Sequence, residues 1–138
     1  MAVLLAMLAG VAVAFQTGFN AGAQRVLGPF LLVAISGAVT GLVGLLIWLF
    51  VSKPQLTGQA VGYALVSGVL GAVIVGSISV AATEGGVARA LSLVIGTQLV
   101  FSLILDRLGL FGAGAELSLP KVLGVLLIMA GGILVVRY

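Results

Sequence analysis

The sequence predicts an all-α membrane protein with five transmembrane helices. Hydrophobic residues make up 62% of the 138 residues, charged residues only 7%, and the mean hydropathy is +1.42, whereas a soluble domain carries about a quarter charged residues. Because about 20 apolar residues cross the hydrocarbon core as a helix, we expect helices at about 2–24, 30–51, 60–82, 88–105 and 120–137. Together they predict a single integral membrane domain over 1–138.

Short connectors separate these five segments. Gly28 and Pro29 break the first apolar stretch, residues 52–58 form a polar turn, residues 83–86 form a tight turn, and residues 106–119 form the longest loop. Pro120 suits the first turn of the last helix, where a missing N–H costs nothing. A signal peptide carries Lys or Arg before its apolar core, and the first stretch of this chain has none there. We therefore expect a retained helix.

The composition excludes several function classes. Cysteine and histidine are absent, so we predict no disulfide, no metal site and no histidine proton relay. The net charge of +3 forms no basic stripe, which argues against nucleic acid as a partner. The pattern contains no nucleophile–base pair and no phosphate-binding loop. We therefore expect no catalytic residues, no enzyme and no cofactor.

The positive charges divide equally between the two predicted membrane faces. Side A, the face of the N-terminus, carries Lys53, Arg107 and Lys121. Side B carries Arg25, Arg89 and Arg137. Asymmetry of Lys and Arg in short loops normally orients a membrane protein, and here there is none. Either the tie arose by chance, or the chain inserts both ways and pairs with its inverted copy as an antiparallel homodimer.

Small residues recur at four-residue spacing along the predicted helices. In lipid, small residues let helix backbones approach closely, so we expect these ladders to pack helices against one another. The alternative is that some of them make room for a cavity or for sliding helices. The glycines concerned are Gly10, Gly18, Gly37, Gly41, Gly68 and Gly76.

Carboxamide side chains inside the predicted spans are candidates for a substrate pathway. Gln16, Asn20 and Gln24 follow one face of the first helix, and Thr97 and Gln98 lie near the middle of the fourth. A carboxamide has four hydrogen-bonding sites to satisfy, and an unsatisfied polar group is costly in hydrocarbon. Gln16, Asn20, Thr97 and Gln98 therefore either bond neighbouring helices or contact a transported solute.

Two acidic residues lie at predicted helix ends. Glu84 follows the third helix and Asp106 follows the fourth. Each is an interfacial anchor or part of a local ion pair, or else it lines a wet vestibule that binds a proton or a cation.

The chain resembles the YdcZ family, small bacterial inner-membrane proteins grouped with the drug/metabolite transporter superfamily. The resemblance covers almost the whole chain and is most specific in the fourth helix and at its exit. Its residues are Gly10, Gln16, Gly18, Asn20, Ala21, Gly28 and Pro29, then Gln98, Ser102, Asp106, Gly109, Leu110, Phe111 and Gly112, then Pro120, Lys121, Gly124, Ala130 and Gly131. One departure is Thr97, because the family usually has glycine directly before the glutamine.

The resemblance implies a multi-pass protein of the bacterial inner membrane that transports small molecules, with antiparallel organisation of five-helix units. The family is also similar to the small multidrug resistance exporters, which couple export to protons through a glutamate in helix 1. The first helix of the present chain has Gln16 and Asn20 and no glutamate, which argues against direct proton coupling through that helix.

We therefore predict a small-molecule exporter that works in the lipid bilayer as an antiparallel homodimer, with an unknown substrate. The alternatives are a passive ion channel, since Phe15, Phe19 and Asn20 could mimic small dual-topology fluoride channels, and a structural or regulatory membrane subunit.

Overall fold

A computed structural model of the chain describes residues 1–51, 56–109 and 118–138. Four helices account for nearly all of them: α1 (Ala2–Phe50), α2 (Gly58–Gly85), α3 (Val87–Leu108) and α4 (Leu119–Arg137). Residues 52–55 of the predicted polar turn, including Lys53, lie outside the described residues. So do residues 110–117 of the longest predicted loop, including Leu110, Phe111 and Gly112.

All four helices are long and apolar enough to cross a membrane. In α1, α2 and α4 the apolar residues surround the helix and do not form one stripe. A helix that is apolar on every side requires a surrounding that is itself apolar. The predicted all-α membrane architecture is therefore confirmed at the level of helix type and composition.

A single glycine interrupts the longest helix. The predicted segments 2–24 and 30–51 both lie in α1, whose 49 residues contain non-helical backbone at Gly28 (φ 71°, ψ 167°), followed by Pro29. Proline cannot donate the i→i−4 hydrogen bond and clashes with the carbonyl four residues back, while glycine tolerates positive φ. The described residues thus contain four helices where five were expected, because the first connector is one residue long.

Two other helix ends differ from the prediction. Thr83, Glu84 and Gly85 continue α2, and the turn is reduced to Gly86 with φ 83°. Asp106 likewise lies in α3, which ends at Leu108 and is capped by Gly109 in the left-handed conformation. The sequence predicts helix exits at these charged residues, but a helix extends past the hydrocarbon core into the interface without losing its hydrogen bonds. Pro120 lies in the first turn of α4, as predicted.

The described residues form two compact units, Met1–Glu84 and Gly85–Tyr138. In the first unit, the buried residues gather around the break in α1. They are Thr17 and Ala21 before it, Leu32 after it, and Ser79 and Ala82 of α2. The far ends of the same helices, residues 2–16, 37–50 and 58–70, are exposed throughout.

A hydroxyl group joins α2 to α1 at this packed end. Thr83 Oγ1 lies 2.7 Å from Ser79 O in its own helix, 3.2 Å from Ala21 O and 2.7 Å from Gln24 Oε1. A hydroxyl donates one proton, so these acceptors share it. Rotating the Gln24 carboxamide by half a turn would let its NH₂ group donate to the hydroxyl, since oxygen and nitrogen there are assigned from the network.

In the second unit, α3 and α4 pack through glycines and run in opposite directions. A Cβ placed on Gly132 would lie 3.4 Å from Ser92 O, and one placed on Gly96 would lie 3.8 Å from Met129 Cγ. This pairing puts Arg89 near Arg137 and leaves Arg107 and Lys121 toward the opposite end. Each end of the unit therefore carries two positive residues.

Replacing Gly28 with alanine should strain the backbone without causing a clash. A Cβ at this position meets no atom within 4 Å, but positive φ with extended ψ is essentially confined to glycine. We expect a loss of about 1–3 kcal/mol, measured as a lower thermal unfolding midpoint in detergent. Gly44→Ala is the matched control, because Gly44 is helical and equally uncrowded, and it should be neutral or stabilising. Equal effects of both substitutions would contradict this account.

Thr83→Val should weaken the junction of α1 and α2. Valine keeps the shape of threonine and removes the hydroxyl that reaches Ala21 and Gln24. Interhelical hydrogen bonds in membrane proteins contribute about 0.6–1.7 kcal/mol, and we expect a loss in that range. Thr40→Val is the control, since the Thr40 hydroxyl bonds only Ser36 O of its own helix at 2.8 Å. An equal decrease in the unfolding midpoints of Thr83→Val and Thr40→Val would contradict the interhelical role of the Thr83 hydroxyl.

Candidate functional site

A groove runs between the second half of α1 and α2 in the first unit. Its volume is about 750 Å³, and its walls are residues of α1 between Val33 and Gly41 and residues of α2 between Ala64 and Val75, with Gln16 contributed by the first half of α1. This volume lies in the range of small-molecule sites. The groove is therefore a candidate substrate pathway.

Glycines and alanines make up more than half of the residues that line the groove. Gly37, Gly41 and Gly68 line it, and a Cβ placed on any of them meets no atom of the first unit within 4 Å. The same holds for Gly10 and Gly18 on the first half of α1. Within this unit, these predicted packing glycines leave space open. Their packing role stays a prediction for surfaces beyond the unit.

Gly76 behaves differently from the other predicted packing glycines. A Cβ placed there would lie 3.5 Å from Val33 Cγ2, which is ordinary van der Waals contact. Gly132, the glycine with the closest backbone neighbour in the second unit, was not among the predicted set. Spacing along one helix does not reveal what lies opposite it.

The polar groups of the groove differ in how far their hydrogen bonds are satisfied. Ser36 Oγ donates to Val33 O at 3.3 Å and Thr40 Oγ1 donates to Ser36 O at 2.8 Å, so both hydroxyls bond their own helix. The Gln16 carboxamide is exposed, and within residues 1–51 and 56–84 it makes no hydrogen bond. Gln16 therefore presents free donors and an acceptor to the groove.

The three predicted carboxamides of α1 have separate surroundings. Gln16 lines the groove, Asn20 is half-buried one turn further on, and Gln24 bonds Thr83. The role of Gln24 as a helix-to-helix contact was missed, because its partner lies 59 residues away in the sequence. The signal available was the i, i+4, i+8 spacing that placed Gln24 on the same face as the other two.

Thr97 and Gln98 belong to the second unit and lie in the middle of α3. Both are exposed. Thr97 Oγ1 donates to Leu93 O at 2.9 Å, so its hydroxyl is satisfied within the helix. Gln98 presents a carboxamide at the surface of an apolar helix. In a bilayer, that surface needs a polar cover or water.

A second cavity lies beside the break in α1. Its volume is about 680 Å³, it is open on one side, and it is lined by α1 from Pro29 to Val33 and by α2 from Ala72 to Glu84. Most of its lining is apolar, with Glu84 at one end. Sequence reasoning missed this cavity, although the Gly28-Pro29 break directly before Phe30 was a sign that the backbone changes direction there.

Asp106, the other predicted acid, is exposed in the last turn of α3, where its backbone carbonyl accepts the Gly109 N–H at 3.2 Å.

Comparison with known proteins identifies the family. The family model described as "Putative inner membrane exporter, YdcZ" matches residues 1–134. No curated protein and no solved structure shows a significant match to the chain. With its four apolar helices, the protein is a multi-pass protein of the inner membrane. The match covers nearly the whole chain, and the chain therefore belongs to the YdcZ family, whose description is that of an exporter and so of a transporter rather than an enzyme.

Proposed function

We propose that the protein exports a small molecule as an antiparallel pair of inverted copies, each crossing the membrane five times. The observation that carries this proposal is the groove with glycine walls and the unsatisfied carboxamide of Gln16. An unpaired amide in hydrocarbon costs about 2–7 kcal/mol. A water-filled or solute-filled pathway removes that cost, and lipid does not.

The break in α1 supports five crossings. A straight helix of 49 residues would be about 74 Å long at 1.5 Å per residue, more than twice the roughly 30 Å of hydrocarbon. Gly28 divides it into residues 2–27 and 29–50, each close to the length of one crossing. An odd number of crossings puts the two ends of the described chain on opposite faces.

Two observations favour an inverted pair. The second unit carries two positive residues at each end, and Lys53 balances Arg25 elsewhere in the chain, so no face is favoured by charge. Gln98 is exposed on α3 and needs a polar partner. In an inverted pair, two copies of Gln98 sit at similar depth, near the middle of the bilayer, where secondary transporters commonly hold substrate.

The pathway residues that we propose are Gln16, Asn20, Thr97 and Gln98. Their side chains offer hydrogen-bond donors and acceptors without a formal charge. A flux measurement in proteoliposomes tests the function itself. Saturable exchange supports an exporter, rapid unsaturated leak indicates a channel, and the lack of any flux indicates a structural subunit. The solute for this assay comes from a thermal-shift screen, because a ligand of the folded state raises the unfolding midpoint.

The unmodified protein should insert in both orientations. A reporter fused after Tyr138 should be detected on both sides of the membrane. Gln59→Lys combined with Ser118→Lys adds two positive charges to side A, which should then stay in the cytoplasm and move the reporter outside. The control replaces the same two residues with glutamate, which has little influence on orientation. A reporter found on one side only in the unmodified protein would refute dual insertion.

Gln98→Leu should lower flux about tenfold while the dimer stays folded. Leucine keeps a similar volume and removes hydrogen bonds worth about 0.5–1.5 kcal/mol each. Asn20→Leu should act in the same direction. Gln59→Leu is the matched control, because Gln59 lies in the first turn of α2 and its Nε2 donates to Tyr63 Oη at 3.1 Å. Normal flux in both Gln98→Leu and Asn20→Leu would show that these carboxamides only hold helices together.

A further inference from the structure

The cavity beside the break in α1 combines apolar walls with a single carboxylate. We propose that it binds an organic ammonium ion with apolar substituents. If the protein is an exporter as proposed above, such ions are also its cargo; this second step rests on the proposed function.

The walls of the cavity fit a molecule and not a bare ion. Val33 of α1 and Val73 and Val80 of α2 line it, together with the small residues Gly76 and Ala81. The volume of about 680 Å³ is typical of sites for small organic ligands. A hard metal cation needs six or more oxygen ligands, and here the side chains supply only the Glu84 carboxylate and the Ser77 hydroxyl.

The charge at the cavity selects a cation. Glu84 is the only acidic residue between Met1 and Glu84. Arg25 is the only Lys or Arg that the structure describes in the first unit, and it forms no ion pair with Glu84. Glu84 is exposed, and beside its carboxylate a cationic group gains an attraction that a neutral or anionic group does not. Phe30, also in the lining, offers an aromatic face of the kind that attracts quaternary ammonium groups.

The frame of the cavity is held in place on both sides. Gly28 and Pro29 determine the direction in which the second half of α1 leaves the break. Thr83, directly before Glu84, is bonded to Ser79 O and reaches Ala21 O and Gln24 Oε1 across the helix contact. The carboxylate therefore projects from a turn whose position is already determined. A preorganised site loses less free energy in ordering when a ligand binds.

Binding of radiolabelled benzyltrimethylammonium to the purified protein in uncharged maltoside micelles tests the proposal. Its neutral isostere neopentylbenzene, which has carbon in place of nitrogen, serves as a competitor. Glu84→Gln removes the charge and keeps the size, and Ala81→Phe fills the cavity. Asp106→Asn removes the same charge from α3 and serves as the control. Unfolding midpoints of all variants confirm that they are folded.

We expect Glu84→Gln to weaken ammonium binding roughly fivefold, the size of an ion pair that is partly open to solvent, and to abolish its dependence on salt. Ala81→Phe should weaken binding of both the ammonium and neopentylbenzene, and Asp106→Asn should change neither. Unchanged binding in Glu84→Gln, or an equal loss in Asp106→Asn, overturns the proposal.

Phosphatidylethanolamine presents the same ammonium chemistry and must be separated from a free solute. If adding this lipid to the micelles displaces the probe, the cavity holds a lipid headgroup and the assignment to cargo is overturned. Flux of benzyltrimethylammonium in proteoliposomes separates the two proposals. Binding that depends on Glu84 without any flux retains the site and overturns export of ammonium ions. Flux of another solute that depends on Gln98, without binding that depends on Glu84, retains export and overturns the site.

Discussion

The lack of water in the hydrocarbon core is the constraint on which this structure depends. Each backbone N–H and C=O must be bonded within the protein, so a spanning segment is helical. The break at Gly28 and Pro29 is the point where α1 departs from that rule, and Pro29 leaves the carbonyl of Arg25 without its usual donor. Such a break costs less near the charged ends of the helices, where water can reach the backbone. The packed residues of the first unit and the Thr83 hydrogen bonds gather at this same end.

Glycine has two opposite uses in this chain. Gly132 admits the backbone of α3 to within contact distance, whereas Gly37, Gly41 and Gly68 face open space within their unit. Both uses follow from the missing side chain, which removes volume whether or not a neighbour fills it. Spacing along the sequence therefore predicts where volume is missing and does not predict what occupies it. The groove is the clearest result of this ambiguity.

The sequence alone predicts four features: the apolar segments, the break before Phe30, the first turn of α4 and the family. Each of them depends on local composition or on a continuous run of residues. The partner of Gln24 could not be predicted, since a hydrogen bond to Thr83 depends on how two helices meet. The helical state of Glu84 and Asp106 was also missed. Charge signals the end of the hydrocarbon core, and a helix continues until its backbone is capped, as at Gly109.

For the proposed exporter, the groove wall has a consequence for how the range of cargo can change among related chains. The glycine and alanine positions of this wall have no rotamers, so they cannot rearrange around a ligand as leucine or methionine side chains do. The shape at these positions changes only by mutation, and each glycine that becomes alanine removes the volume of one methyl group at a known place. Because helices tolerate alanine better than glycine, such exchanges cost nothing in helix propensity. If the groove is the pathway that we propose, the size of the cargo is adjustable in single steps, without a change in the helices that form the groove.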